Sequence, residues 1–209
     1  YLPAMPDMTE TPMRCGGCGA KVPAQVLRRA LARLELPTRP EVLVGLEAPD
    51  DAAIATPPPG TVAVQTVDQF PAFLDDPYVF GRIAAVHALS DIHAMGAEPV
   101  AAMALAGLLP GAPEAMEDDL VQMLSGVIAV LREENCALVG GHTTEGERAT
   151  LGLSVTGFAR PERLIAKGGL KVGDALILTK PLGTGTLFAA DMRGEAESAW
   201  VEEALAGMQ

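Results

Sequence analysis

The chain has 209 residues, 49% of them hydrophobic but only 4% aromatic, with a formal net charge of -12 and a pI near 4.6. That length and apolar content suffice for one large core, or one domain and part of another, built from Ala, Leu, Val, Ile and Met. The acidity argues against nucleic-acid binding through a broad basic surface, which needs clustered Lys and Arg, and no apolar run approaches the roughly 20 residues that span a bilayer.

Residues 1–13 are rich in Pro, Met and Thr and read as a flexible tether with no basic or apolar leader pattern. The first residue is Tyr1, so the chain is expected to be a piece of a longer product, with an upstream fused domain as one reading. Leu27, Leu31 and Leu34 fall at helical spacing and predict an amphipathic helix over 24–36, closed by Pro37. Its Arg28, Arg29 and Arg33 form a solvated polar face. Leu43–Leu46 and Val62–Val67 are short strand-like runs, expected in one sheet and separated by Asp50-Asp51 and the turn Pro57-Pro58-Pro59-Gly60. Residues 77–95 are helical in pattern, with Gly81, Ala84, Ala85 and Ala88 giving a smooth face and Gly96 a stop. The apolar segment 100–109 between Pro99 and Pro110 predicts a buried strand. From Pro113, Glu114, Glu117, Asp118 and Asp119 complement a helix dipole and Leu120, Leu124, Val127 and Leu131 form its inner stripe, with Asn135 as cap. Ala137–Val139 leads into Gly140-Gly141-His142-Thr143, and 151–158 is a further strand. Ala159-Arg160-Pro161 marks a domain boundary, followed by a strand over 174–179 and an irregular helix from Gly183-Thr184-Gly185 to Gln209.

The chemistry-bearing residues are scattered along this frame. Cys15-Gly16-Gly17-Cys18-Gly19-Ala20-Lys21 joins a potential thiolate to an ammonium on glycine-rich backbone, and Lys21 can lower the pKa of a nearby thiol. Zinc is disfavoured for Cys15 and Cys18, because Cys136, His87, His93 and His142 supply no second ligand pair at paired spacing. An odd cysteine count, with two cysteines too close to staple a fold, fits a reducing cytoplasm. Asp91 shares a helix face with Ala84, Ala88 and Met95, where a buried carboxylate requires a metal or a hydrogen-bond partner. Adjacent Asp50 and Asp51 favour a divalent cation, although an aspartate pair in a turn is also common for local reasons. Asp68 closes an apolar run and is equally ambiguous alone. Gly140-Gly141-His142-Thr143 can let backbone N–H groups approach a phosphate or can be a plain glycine turn, and no Walker-type sequence is present. His87 and His93 fit hydrogen-bonded structural roles better than ligation, and His142 is the better functional candidate.

Taken together the segments resemble the selenide, water dikinase (selenophosphate synthetase) family, within the wider superfamily of aminoimidazole ribonucleotide synthetase and thiamine monophosphate kinase. The resemblance rests on Gly17-Cys18-Gly19-Ala20-Lys21, Asp50-Asp51-Ala52-Ala53, Thr66-Val67-Asp68-Gln69-Phe70, Asp76-Pro77-Tyr78 and Phe80-Gly81-Arg82-Ile83-Ala84-Ala85. It continues through Ala88-Leu89-Ser90-Asp91-Ile92, Ala94-Met95-Gly96, Gly140-Gly141-His142-Thr143, Val155-Thr156-Gly157 and Leu178-Thr179-Lys180-Pro181-Leu182-Gly183. It implies ATP-dependent conversion of selenide and water to selenophosphate, AMP and phosphate, with Mg²⁺. By motif, Cys18 takes the catalytic cysteine position and Lys21 that of an essential lysine that also contacts ATP. Asp51 and Asp91 would bind magnesium, and Ala48, Pro49, Asp50, Asp68, Asp91, Gly141, His142 and Thr143 would contact the nucleotide.

The fold implied is α+β, a mixed β-sheet covered by helices. An N-terminal ATP- and Mg-binding domain is expected over 14–159 and the beginning of a truncated second α+β domain over 160–209. A cytoplasmic homodimer formed through strands of the first domain is expected, with no nucleic acid or membrane partner. Ala20 stands where many members carry a second cysteine, and Cys15 is an addition. A chain ending at Gln209 lacks the second domain's acidic metal ligand, so it is expected to be inactive alone. Two rivals stand beside this reading, a superfamily kinase or synthetase acting on another small molecule and a noncatalytic thiol or metal carrier.

Overall fold

In the computed structural model, which describes residues 20–209, the elements follow in the order α1 (Ala24–Ala32), β1 (Val42–Val44), β2 (Ile54–Ala55), β3 (Val62–Pro71), α2 (Pro77–Ala94), β4 (Glu98–Leu108), α3 (Pro113–Glu133), β5 (Ala137–Glu145), β6 (Thr150–Ala159), a 3-10 turn (Pro161–Arg163), α4 (Thr184–Asp191) and α5 (Ser198–Met208). The tether expected over 1–13, and Cys15 and Cys18, lie outside the described residues.

β3, β6, β4 and β5 hydrogen-bond in that order into one four-stranded sheet. β3 and β4 each pair antiparallel with β6, and β4 pairs parallel with β5, so the sheet is mixed and the fold α+β. A parallel neighbour demands a crossover, and α3 supplies it between β4 and β5. α2 likewise carries the chain from β3 over β6 to β4.

The helix boundaries follow from their caps. Asp76 accepts a hydrogen bond from the Val79 N–H at 3.0 Å and Pro77 opens α2. Gly96, at φ 72°, ends it. Asn135 takes a left-handed φ of 50° just past α3, which returns the Cys136 N–H to the Leu131 carbonyl. Phe80, Ile83, Ala85, Ala88, Leu89 and Ile92 of α2 are buried, as are Leu120, Leu124, Val127 and Leu131 of α3 and Ala102, Leu151, Leu153 and Val155 of the sheet. A Cβ on Gly81 would strike the Met123 carbonyl, and one on Gly126 that of Tyr78. The small residues therefore let the two helix backbones touch. Burying one such Leu contributes about 2 kcal/mol.

Four sequence expectations change. β1 and β3 do not share a sheet, because β1 instead pairs antiparallel with β2 in a separate two-stranded unit. α1 stops at Ala32, because Arg132 of α3 donates to the Glu35 carbonyl at 2.6 Å and draws the chain out of helical geometry. Residues 174–179 form no strand. Leu176, Ile177 and Leu178 are exposed there, and no strand beside them takes up their backbone groups among the described residues. The expected irregular helix after Gly183 is two helices, α4 and α5, separated at 192–197.

Candidate functional site

Period two on β3 and period 3.6 on α2 assemble the first group of polar residues. Thr66 and Asp68 point to the same side of β3, and His87 and Asp91 lie one turn apart on α2. The two rows meet. Thr66 Oγ1 donates to Asp91 Oδ2 at 2.8 Å, and His87 Nε2 lies 3.1 Å from Asp68 Oδ2. Asp91 is exposed rather than buried among Ala84 and Ala88, so the desolvation argument for it fails, and its position beside Thr66 is what makes it a candidate. Sequence reasoning named Thr66 only within a motif and not as a site residue, whereas His87, expected in a structural rather than a ligating role, pairs with Asp68. The periodicities of β3 and α2 carried the signal, but only the packing of the two elements revealed it.

A second group gathers at the opposite edge of the sheet. Gly140-Gly141-His142-Thr143 is not a turn but part of edge strand β5, paired with Met103–Ala106 of β4. A bulge that leaves Val139 extra precedes it, and such insertions re-aim the residues that follow. Gly141 has φ 154°, and a Cβ there would run into the Ala104 carbonyl. On the outer side Lys21 bridges antiparallel to Thr144, and the Val22 N–H donates to the Thr143 carbonyl at 3.2 Å. Lys21, Gly141, His142 and Thr143 thus share a cavity of about 260 Å³ whose apolar walls include Leu27, Leu31, Leu124 and Leu138. No carboxylate pairs with Lys21 among the described residues.

Ala48, Pro49, Asp50 and Asp51 lie on the exposed connection from β1 to β2, where the Asp51 N–H donates to Asp50 Oδ1 at 2.8 Å. This connection starts at the cavity, which Leu46 also lines. Within one chain Asp51, Asp68 and Asp91 do not form one cluster, and among the described residues no group of three or more His, Cys, Asp or Glu is arranged to hold a metal ion. β6 and β4 lie between β3 and β5. Three interstrand spacings, roughly 14 Å, therefore separate the Asp68 side from the Thr143 side.

α1, which carries the Lys21 segment, is held down by charge. Arg29 and Arg33 both bond Glu117 on α3, and Arg33 also reaches Asp118 at 2.7 Å. Foremost the Arg29 bond, and then that of Arg33, holds the Glu117 carboxyl below its ordinary range. Among the described residues no helix is long and apolar enough to cross a membrane.

Residues 49–159 match the family described as AIR synthase related protein, N-terminal domain. A selenide, water dikinase of Pelobacter propionicus is 43% identical over 208 residues, spanning 96% of this chain and 59% of the relative. Another from Bdellovibrio bacteriovorus is 44% identical over 204 residues, spanning 97% of this chain and 57% of the relative. The chain therefore spans less than two thirds of these relatives. Among solved structures, a thiamine-monophosphate kinase from Stenotrophomonas maltophilia superposes with a TM-score of 0.65 at 24% identity, over 82% of this chain and 54% of that one, which is a likeness of fold.

Proposed function

The chain belongs to the AIR synthase related family through its N-terminal domain, and from that premise we propose that the protein makes selenophosphate from selenide, water and ATP, releasing AMP and phosphate. The observation that carries the reading is the seating of Lys21 against β5, where Lys21, with no carboxylate partner among the described residues, lines one cavity with Gly141, His142 and Thr143. The strong likeness to selenide, water dikinases supports the choice of substrate.

In this reading Lys21 attracts and neutralises the phosphoryl group being transferred, worth most where water is thin. β5 is an edge strand whose outer side is paired by Lys21 and Val22 only at Thr143 and Thr144, and its remaining N–H groups with the Thr143 hydroxyl hold polyphosphate oxygens. Asp68 and Asp91 receive the rest of the nucleotide. Cys18, which lies outside the described residues and three positions before Lys21 in sequence, handles the selenide; a soft sulfur suits selenium. Magnesium fits this donor set as a nucleotide-bound ion rather than a caged one, since it uses one or two carboxylates plus phosphates. Exposed Asp51 and Asp91 would hold it, and it would offset the charge of the polyphosphate.

A cytoplasmic homodimer belongs to the same proposal. The sheet face away from α2 and α3 leaves Val67 63% and Met103 40% exposed, and that face lines an open cavity of about 370 Å³ with Ile54, Gln65, Thr156 and Phe158. A second copy on this face would bury it. It could also bring the β5 group of one protomer to the β3 group of the other, which a single sheet holds apart.

The test uses the protein at its full natural length. Cys18→Ser abolishes selenide-dependent AMP formation and leaves Mg-ATP binding intact, and Lys21→Met lowers turnover strongly. Conversion of ATP to ADP that is indifferent to selenide in the unaltered protein would point to a kinase of another small molecule. Absence of Mg-ATP binding in calorimetry, with stoichiometric zinc or selenium uptake, would point to a carrier.

A further inference from the structure

Asp68 is 36% exposed, open to a ligand, yet its carboxylate is not free to turn. His87 Nε2 sits 3.1 Å from Asp68 Oδ2. The imidazole is itself fixed, because the Phe70 ring meets it edge-on at 5.5 Å and 87°. Phe70 is in turn locked against Phe80 at 5.7 Å and 74°, and Phe80 is fully buried in the core. A chain of contacts thus runs from the core through Phe80, Phe70 and His87 to one oxygen of Asp68, while the other oxygen has no partner among the described residues.

We infer that His87 is a positioning residue for the nucleotide, and this rests on the reading that Asp68 contacts it. An exposed carboxylate loses rotational freedom when it binds a ligand, and one already oriented loses less. An ionised carboxylate can only accept, so the 3.1 Å approach calls for a proton on Nε2. A glutamine amide at position 87 can donate in the same way, and a leucine cannot. The competing account is an exposed pair without consequence.

Calorimetry with ATP and magnesium chloride, and steady-state rates against ATP, decide between the two in the full-length protein. His87→Leu raises the Kd and the KM for ATP about tenfold, the loss of one charge-assisted hydrogen bond, while kcat at saturating ATP stays within about twofold. His87→Gln restores affinity to within about threefold. In an Asp68→Ala background, His87→Leu adds no further loss, since the two act as one unit. At 59% exposure the His87 side chain can be replaced without opening the core, and unchanged thermal unfolding checks that point. The inference is overturned if His87→Leu binds ATP normally, if His87→Gln is as weak as His87→Leu, or if the losses simply add. A protein that binds no Mg-ATP removes the functional reading as well, whereas weak binding by Asp68→Ala beside normal binding by His87→Leu removes only this inference.

Discussion

At Gly141 there is no space for a side chain, because its backbone lies against the Ala104 carbonyl at a φ of 154°. Gly141→Ala is expected to destabilise the protein by about 2 kcal/mol or more, since both strain and collision must be relieved. A Cβ on neighbouring Gly140 would lie 3.8 Å from the Met103 side chain, an ordinary contact. Gly140→Ala should therefore cost about 0.5 kcal/mol or less, and urea midpoints at constant slope compare the two. At Cys136 burial pushes the thiol pKa up to about 12. The thiolate is the reactive form, so Cys136 should resist iodoacetamide at pH 8 in the folded protein and react once urea unfolds it. Mass spectrometry of the Cys136 peptide reads the difference. Labelling in the folded state at the unfolded rate would contradict the burial.

Between elements, the contact of α1 with α3 is pH-dependent in a definite direction. Arg29 first, and Arg33 next, holds the Glu117 carboxyl below its ordinary 4.5. A carboxyl whose folded pKa is depressed contributes stability that is present above its unfolded value and is lost as pH falls through the folded one. Glu117→Gln lacks that contribution. Thermal midpoints of the parent should therefore exceed those of Glu117→Gln at neutral pH, and the gap should close as the solution is acidified below 4.5. The gap should also narrow at about 1 M salt, where the screening length falls to about 3 Å. A gap independent of pH would mean that Glu117 acts through packing alone. Because only Pro23 separates Val22 from α1, loosening the helix should also loosen the Lys21 seat on β5.

For the molecule as a whole, the open sheet face makes a concrete prediction about assembly. Val67→Asp places a charge on that face, at the edge strand β3, which an isolated subunit tolerates because the residue is already exposed. A homodimer formed there cannot readily bury an unpaired carboxylate. Sedimentation should show the variant at monomer mass with unchanged circular dichroism, against a dimeric parent. A monomeric parent would remove the dimer from the proposal.

Much of this was legible from the residues themselves. Pro77, Gly96, Pro113 and Asn135 bound α2 and α3 because capping depends on local backbone geometry, and the Leu120, Leu124, Val127, Leu131 stripe declares its own buried face. The motifs around Cys18, Asp51, Asp68, Asp91 and Gly141 were visible as patterns, with the family they resemble. Pairing was not. Whether 43–46 joins 62–67 in a sheet, whether 140–143 turns or runs straight, and whether 174–179 is a strand depend on which backbone lies alongside, and hydrogen-bond partners distant in the chain leave no mark on local composition. The same holds for the site. Residue types announced a lysine, acids and a histidine, but the pairing of Asp68 with His87 and the division of the candidate ligands between two sheet edges arise from tertiary contacts. Local propensity is written in neighbouring residues, whereas proximity is created only when the helices bury their faces on the sheet.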